Sequence, residues 1–385
     1  RDPDDRLLAP PLATRPAEEI AKLAQDIPSD DAAALIDHLP EELSAAVLHL
    51  MRPKESGVVE NLLEYAERTA GRIMNPNVFA LTEDITVGEA ITEIQSSRDV
   101  EMVFYLYVVD ERRHLVGVVS LRRLLLVSPE TPLKRIMTAD LISAPGDMDQ
   151  EEVAPQVAAY NLLAIPVVDA ENKLVGIITV DDVIDVIKDE ATEDIYRLAG
   201  VAGDERAFTP ATESLRKRLP WLGINLLTAF LAAAVVGLFE GTIDLFPVLA
   251  VFMPIVAGMG GNAGTQTLTV IVRGIALGEL AWSNSRKALL KEALVGLGNG
   301  VVLGAVAAVI VWMVRGNPTL GLVLGMAMII NMFVAATAGT LVPLGLRAAN
   351  VDPALASSVF ITTMTDMFGF FSFLGLATVF ARYLV

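Results

Sequence analysis

One carboxylate, Asp366, interrupts the apolar run DPALASSVFITTMTDMFGFF from Asp352 to Phe371. Helical spacing of i, i+4, i+8 and i+11 puts Ser358, Thr362, Asp366 and Gly369 on one face, with Phe360, Met364, Met367 and Phe371 elsewhere. An ionised group near the centre of a bilayer costs at least ~2.5–3.5 kcal/mol on insertion scales. No Lys, Arg or His lies deep in any long apolar run to neutralise it, and an unpartnered intramembrane acid marks a route for cations or protons. A second run, PIVAGMGGNAGTQTLTVIVRG from Pro254 to Gly274, adds Asn262, Thr265, Gln266, Thr267 and Thr269 among Gly258, Gly260, Gly261 and Gly264. The glycines suit close helix packing as well as a pore wall. Asn262 and Gln266 together favour a polar pathway, because amides in lipid need partners or water. Carboxylate, amide and hydroxyl oxygens suit hard cations such as Mg²⁺, Ca²⁺ and Mn²⁺, and this region has neither Cys nor His. Mg²⁺ sheds water reluctantly and is held by one or two carboxylates with waters retained. The residues alone reach a hard-cation path and leave the ion open.

Five apolar runs are long enough to span a bilayer: 220–240, 247–272, 292–314, 319–346 and 355–383. If the N-terminal half is cytoplasmic, the inside flanks hold Arg216, Lys217, Arg218, Arg273, Arg286, Lys287, Lys291 and Arg347, against Arg315 and Arg382 outside. That bias sets the orientation, and an odd number of spans puts the C-terminus outside the cell membrane. The 385 residues are 53% hydrophobic, yet charge divides sharply along the chain. Residues 219–385 hold six acidic and seven basic side chains, leaving 41 and 22 of the 47 and 29 to residues 1–218. A soluble acidic module is therefore joined to a nearly neutral membrane module. So acidic a surface excludes nucleic acid as a partner, since phosphate binding needs Lys and Arg in excess. The absence of cysteine excludes disulfides and Cys-ligated zinc. The chain begins at Arg1 without a signal-peptide pattern, so the native N-terminus is expected upstream.

The acidic module contains a repeat. Arg72-Ile73-Met74 recurs as Arg135-Ile136-Met137, and YLYVVDERRHLVGVVSLRRLL (Tyr105–Leu125) is answered by AIPVVDAENKLVGIITVDDVI (Ala164–Ile184). Each copy reads as strand, helix, two strands and helix. This resembles a tandem cystathionine-β-synthase (CBS) pair, a regulatory module whose relatives often bind adenosine nucleotides such as ATP. The matching nucleotide motif is Thr179 with Asp182; the first copy has Ser120 but Arg123 in the acid's place. Thr179 would serve equally as a plain helix cap. Ahead of the pair, Pro16–Met51 reads as amphipathic helices starting near Pro28 and Pro40. After it, Asp181–Gly200 is a helix with one apolar stripe and an opposite face of Asp181, Asp182, Asp185, Asp189, Glu190, Glu193 and Asp194. Such a face is either simply solvated or a place where a divalent cation relieves repulsion.

The whole order resembles the MgtE family of magnesium transporters and channels. The most specific matches are PIVAGMGGNAGTQ, EATEDI (Glu190–Ile195), VDPALAS and TTMTD. The implied architecture is multidomain: a short all-α N domain (1–69), an α/β tandem CBS pair (70–180), an acidic connecting or plug helix with linker (181–218), and an all-α polytopic domain of five transmembrane helices (219–385). The resemblance implies a lipid-embedded homodimer and no enzyme. It implies a Mg²⁺-selective channel into the cytoplasm, with hydrated Mg²⁺ held by Asp366, Asn262, Thr362 and Ser358. Intracellular Mg²⁺ would close it by binding Asp30, Asp149, Glu151, Asp182, Asp185, Glu190, Glu193 and Asp194. Asn161 and Ala34 stand where the family pattern carries acids. The competing expectation is a divalent-cation carrier coupled to H⁺ or Na⁺ through Asp366. A pump is excluded for lack of a GxxxxGK[ST] loop.

Overall fold

Prolines punctuate the first helices where the sequence predicts. Pro16, Pro28 and Pro40, with φ of −58, −52 and −55°, precede α1 (Ala17–Ala24), α2 (Ser29–Asp37) and α3 (Glu41–Leu50), and Pro53 opens α4 (Pro53–Leu63). Proline's fixed φ and missing donor suit the entrance to a helix. Acids fill the first turns, Asp30 and Asp31 in α2 among them, where the helix dipole favours negative charge. The structure is a computed structural model that describes residues 15–97, 104–203, 205, 207–355 and 358–384. It divides into two compact units, Arg1–Glu190 and Ala191–Val385.

In the first unit, Ile20, Ile36, Val47, Val59 and Leu62 from these helices share a core with Ile165, Val167 and Ile178 of the second repeat copy. After the short α5 (Ala70–Ile73), the first copy runs β1 (Ala80–Thr82), α6 (Val87–Ser96), β2 (Tyr105–Val109), β3 (Leu115–Ser120) and α7 (Leu121–Leu126). The second runs β4 (Ala144–Pro145), α8 (Gln150–Tyr160), β5 (Ala164–Val168), β6 (Leu174–Thr179) and α9 (Val180–Leu198). Each sheet has one parallel and one antiparallel pairing, and each antiparallel pair shifts register at the same place, Val108/Val109 and Val167/Val168. The duplicated irregularity confirms the repeat, since bulges mark designed bends in a strand. The hairpin ends join the copies through Leu115 N to Asn172 O (3.0 Å) and Leu174 N to Arg113 O (3.1 Å). Asn161 ends α8 in the left-handed conformation (φ 51°), which Asn adopts more readily than an acid of the longer kind.

Among the described residues of the second unit, five helices are long and apolar enough to cross a membrane: α10 (Ala211–Gly237), α12 (Val248–Ala276), α13 (Ser285–Arg315), α14 (Pro318–Ala348) and α15 (Ser358–Val379). The short α11 (Glu240–Leu245) follows α10. Two spans start earlier than apolarity alone predicts. Pro210 opens α10 at Ala211, and Lys217 pairs with Glu213 at 2.7 Å one turn on, so polar residues extend the helix beyond the hydrocarbon. Ser285 opens α13, which takes Arg286, Lys287 and Lys291 into its first turns. Helix α14 is the centre: 61% of its apolar window is buried inside the protein, against 6% for α10. Close approach of α13 to α14 rests on Gly304, where a Cβ would stand 2.7 Å from the Gly325 carbonyl oxygen. Small residues let membrane helices approach this closely.

Candidate cation sites

The polar residues of the membrane unit meet where α12 and α15 cross. Consecutive spans alternate in direction, so these two helices run antiparallel. A Cβ on Gly261 would lie 3.3 Å from Thr362 Cγ2, and one on Gly264 would lie 3.7 Å from Thr365 Cγ2. Gly260 and Gly369 both abut the side chain of Asn331. With Gly261 facing Thr362 and Gly369 meeting Val256, Asp366 lies between these contacts, about one helical turn from the level of Asn262. Asp366 is half-buried, Thr362 and Ser358 partly so, and Asn262 and Gln266 are exposed at the protein surface. Thr362 Oγ1 donates to Val359 O of its own helix (3.1 Å), as Thr363 and Thr365 donate to theirs (2.7 and 2.9 Å). The hydroxyl protons are thus spent within α15, which leaves oxygen lone pairs outward. Among the described residues, no basic side chain is paired with Asp366. A carboxylate, an amide and hydroxyls within about a turn of one another have the chemistry of a donor set for a partly hydrated hard cation.

The first unit gathers two acidic groups. In one, Asp30 Oδ1 is buried without a hydrogen-bond partner. Burial, with the Asp182 and Asp31 carboxylates nearby, pushes Asp30 up to about 7. Asp182 itself accepts from Thr179 N (3.2 Å) and Thr179 Oγ1 (2.5 Å), closing the first turn of α9. The Thr179–Asp182 pair expected at a nucleotide is therefore also a helix cap. In the other group, Asp149 caps α8 through Glu151 N (2.8 Å), and Gln150 Nε2 donates to Glu190 (2.5 Å). Arg68 pairs with both Glu151 (3.3 Å) and Glu190. Burial and the adjoining Glu190 raise the Glu151 carboxyl, while hydrogen bonds with Glu151 and Gln150 and the charge of Arg68 lower that of Glu190 against the opposing effect of its burial.

The remaining sensor candidates lie along α9. Asp185 pairs with Lys188 at 2.7 Å, exposed to solvent. Glu193 pairs with Arg197, which also engages Asp352, and Asp194 is partly buried beside it. Asp352 further accepts from Ala354 N (2.8 Å). Among the described residues, no three acidic or histidine side chains converge to hold a metal ion. The arginines are the physical reason: Arg68 and Arg197 occupy the space between carboxylates that a cation would otherwise bridge. His38, His49 and His114 are not ligands in this arrangement; His114 Nδ1 lies 2.8 Å from Asp110 Oδ2 in a hairpin turn.

Sequence reasoning misses three residues. Arg68 carries no motif of its own, although it adopts φ 65°, a left-handed conformation; Arg197 is legible as opposing the acidic face of α9, but not its pairing with Asp352. Glu292 stands at the edge of an apolar run; it is 4% exposed inside α13, accepting from Thr267 Oγ1 (3.2 Å) and paired with Lys291 (2.5 Å). Asn331 is the third, a lone amide in the apolar AMIINMFV of α14.

Comparison with known proteins agrees with this organisation. A family description for divalent cation transporters, MgtE, matches residues 253–376; CBS domains match 70–130 and 133–189; and the MgtE intracellular N domain matches 4–68. The magnesium transporter MgtE of Enterococcus faecalis is 39% identical over 86% of this chain and 73% of its own length. Those of Bacillus subtilis and Thermus thermophilus are 36% and 37% identical, over 86% and 85% of this chain and 74% and 73% of theirs. Among solved structures, the soluble part of a magnesium transporter is 36% identical over 48% of this chain and 72% of that one (TM-score 0.46). The cytosolic domain of the Mg²⁺ channel MgtE in complex with ATP is likewise 36% identical, over 48% and 75% (TM-score 0.45). An inosine-5′-monophosphate dehydrogenase of Methanocaldococcus jannaschii matches 31% of this chain and 23% of its own length, at 32% identity. With three domains matched in order and full-length relatives covered over most of their length, the chain belongs to the MgtE family of magnesium transporters, multi-pass membrane proteins rather than enzymes.

Proposed function

We propose that the chain is a Mg²⁺-selective channel that admits hydrated Mg²⁺ to the cytoplasm and closes when intracellular Mg²⁺ is high. The observation that carries it is Asp366, half-buried on α15 with no basic partner among the described residues, about one helical turn from the level of the exposed Asn262 on α12. In lipid an exposed amide face and a lone carboxylate are costly unless they line water or meet a second subunit. A homodimer satisfies both, with two Asp366 carboxylates facing a shared axis and Thr362 and Ser358 offering further oxygens to the ion's waters. The C-terminus then lies outside the cell membrane, as the basic flanks require.

Closure is linkage. Mg²⁺ that binds one state better shifts the population by its differential affinity, and several weak sites add. The sensor acids are Asp30 with Asp182, Asp149 and Glu151 with Glu190, and Asp185, Glu193 and Asp194 along α9. An adenosine nucleotide such as ATP is a second ligand for the CBS pair at Thr179 and Asp182. It has to take over the hydroxyl contact that now closes α9.

Uptake of Mg²⁺ into liposomes bearing the purified chain, at an imposed membrane potential, tests the reading. Voltage-driven flux that Asp366→Asn abolishes is the expected result. Uptake that survives the substitution overturns the assignment of Asp366, and flux that follows a H⁺ or Na⁺ gradient instead of voltage establishes a coupled carrier.

A further inference from the structure

Asn331 lies at the middle of α14 and is 1% exposed. Its Nδ2 donates to Val256 O of α12 (2.9 Å), a carbonyl that helix geometry already commits to Gly260 N. Its Oδ1 is buried and has no hydrogen-bond partner. The side chain stands between two glycines on two different helices. A Cβ on Gly260 would lie 2.8 Å from Asn331 Cγ, and one on Gly369 would lie 2.6 Å from Nδ2 and 3.0 Å from Cγ. Gly260 is two residues from Asn262, and Gly369 is three residues from Asp366. The amide is thus a spacer set between the helices that carry the candidate ion ligands, in a slot that exists because neither helix has a side chain there.

Stability alone does not explain an amide in that slot. A half-satisfied polar group inside an apolar bundle costs free energy, and an apolar side chain of the same shape is neutral or better. Leu is close to Asn in shape and would fill the space without an orphan oxygen. What Leu cannot do is tie α14 to α12 by a directed bond, or present an acceptor between α12 and α15 to a water that enters from the polar face.

We infer that Asn331 is a positioning residue for ion selectivity, setting the separation of α12 from α15 and thereby the space between Asn262 and Asp366. The inference rests on the ion-path reading of those two residues. A site for an ion that keeps its waters must hold its ligands apart by a fixed hydration layer. Loosening that spacing favours an ion that sheds water more readily, such as Mn²⁺.

The experiment compares initial Mg²⁺ and Mn²⁺ uptake into liposomes for the wild type, Asn331→Leu, Asn331→Ala with Gly369→Ala, and Asp366→Asn, with thermal unfolding of each variant in detergent. Asn331→Leu is expected to keep the wild-type melting temperature or exceed it, and to lower the Mg²⁺/Mn²⁺ rate ratio about threefold, the order set by one hydrogen bond between membrane helices. The double substitution relieves the contact that Gly369→Ala alone would make and removes the tie; it is expected to lower the ratio equally. It supplies the result if Asn331→Leu does not fold. A folded variant lacking Asn331 with an unchanged ratio, while Asp366→Asn is inactive, overturns the inference and leaves the ion path standing. Wild-type flux through Asp366→Asn overturns the ion path itself.

Discussion

Asp30 offers a test that separates burial from charge. Its carboxyl titrates near 7 because it is buried with one oxygen unpartnered and because Asp182 and Asp31 oppose its ionisation. In the unfolded chain an aspartate titrates near 3.9. Between those values the folded state holds a proton that the unfolded state has released. Stability of this region is therefore greatest at the acid end, declines as pH rises from about 4 to about 7, and is level above. At ~1.36 kcal/mol per pH unit the ceiling is ~4 kcal/mol, and partial exposure of the side chain brings the expectation to ~2 kcal/mol. The readout is hydrogen exchange of α2 in the full chain with chelator present, corrected for intrinsic exchange and compared at pH 4 and pH 8. Wild-type protection should fall by ~2 kcal/mol across that interval, and Asp30→Asn should remove the dependence while coming nearest the wild type at pH 4. Asp182→Asn should remove the smaller share that comes from its charge. Equal pH dependence in wild type and Asp30→Asn would refute the argument, because a group other than Asp30 must then carry it.

Two further outcomes follow from named contacts. Arg68→Ala removes the cation lying between Glu151 and Glu190; since a partly exposed pair is worth up to ~1 kcal/mol, the internal Mg²⁺ that halves flux should fall about threefold, read from liposomes loaded at graded concentrations. Gly304→Ala drives a Cβ to 2.7 Å from the Gly325 carbonyl, an overpacking that costs ~1–3 kcal/mol and should lower the melting temperature in detergent without altering the Mg²⁺/Mn²⁺ ratio.

Much of the architecture was legible because it follows from patterns of one or two residues. Proline and acids announced α2 and α3, and the repeated VVD and LVG segments announced both sheets with their order of elements. Span count was legible from apolarity, whereas span ends were not: Pro210 and the Glu213–Lys217 pair extend α10 through residues that hydropathy treats as linker. Asp366 and Asn262 stood out because a polar group in an apolar run is rare and costly. Glu292 and Asn331 are equally costly, yet their meaning depends on partners far along the chain, Thr267 and Val256, which no local pattern displays. The resemblance points to acids for sensing and not to the arginines between them, because a motif of carboxylates does not say which cation neutralises them.

Those arginines and the proton on Asp30 share one physical role. Repelling carboxylates brought together by folding must be neutralised, and the chain supplies its own neutralisers: a proton at Asp30, Arg68 at Glu151 and Glu190, and Arg197 at Glu193 and Asp352. A divalent cation that binds these acids must displace what is already there. Its apparent affinity is then the intrinsic affinity reduced by the fraction of sites in the competent form. For Asp30 that fraction falls by up to tenfold for each pH unit below about 7, so acid should weaken the sensor where it acts through this group. Arg68 is a tethered competitor whose concentration does not change with pH, but the raised Glu151 carboxyl beside it takes up a proton as well. Both acidic groups of the first unit should therefore lose affinity in acid, and Arg68→Ala should remove only the pH-independent part of the competition at the second.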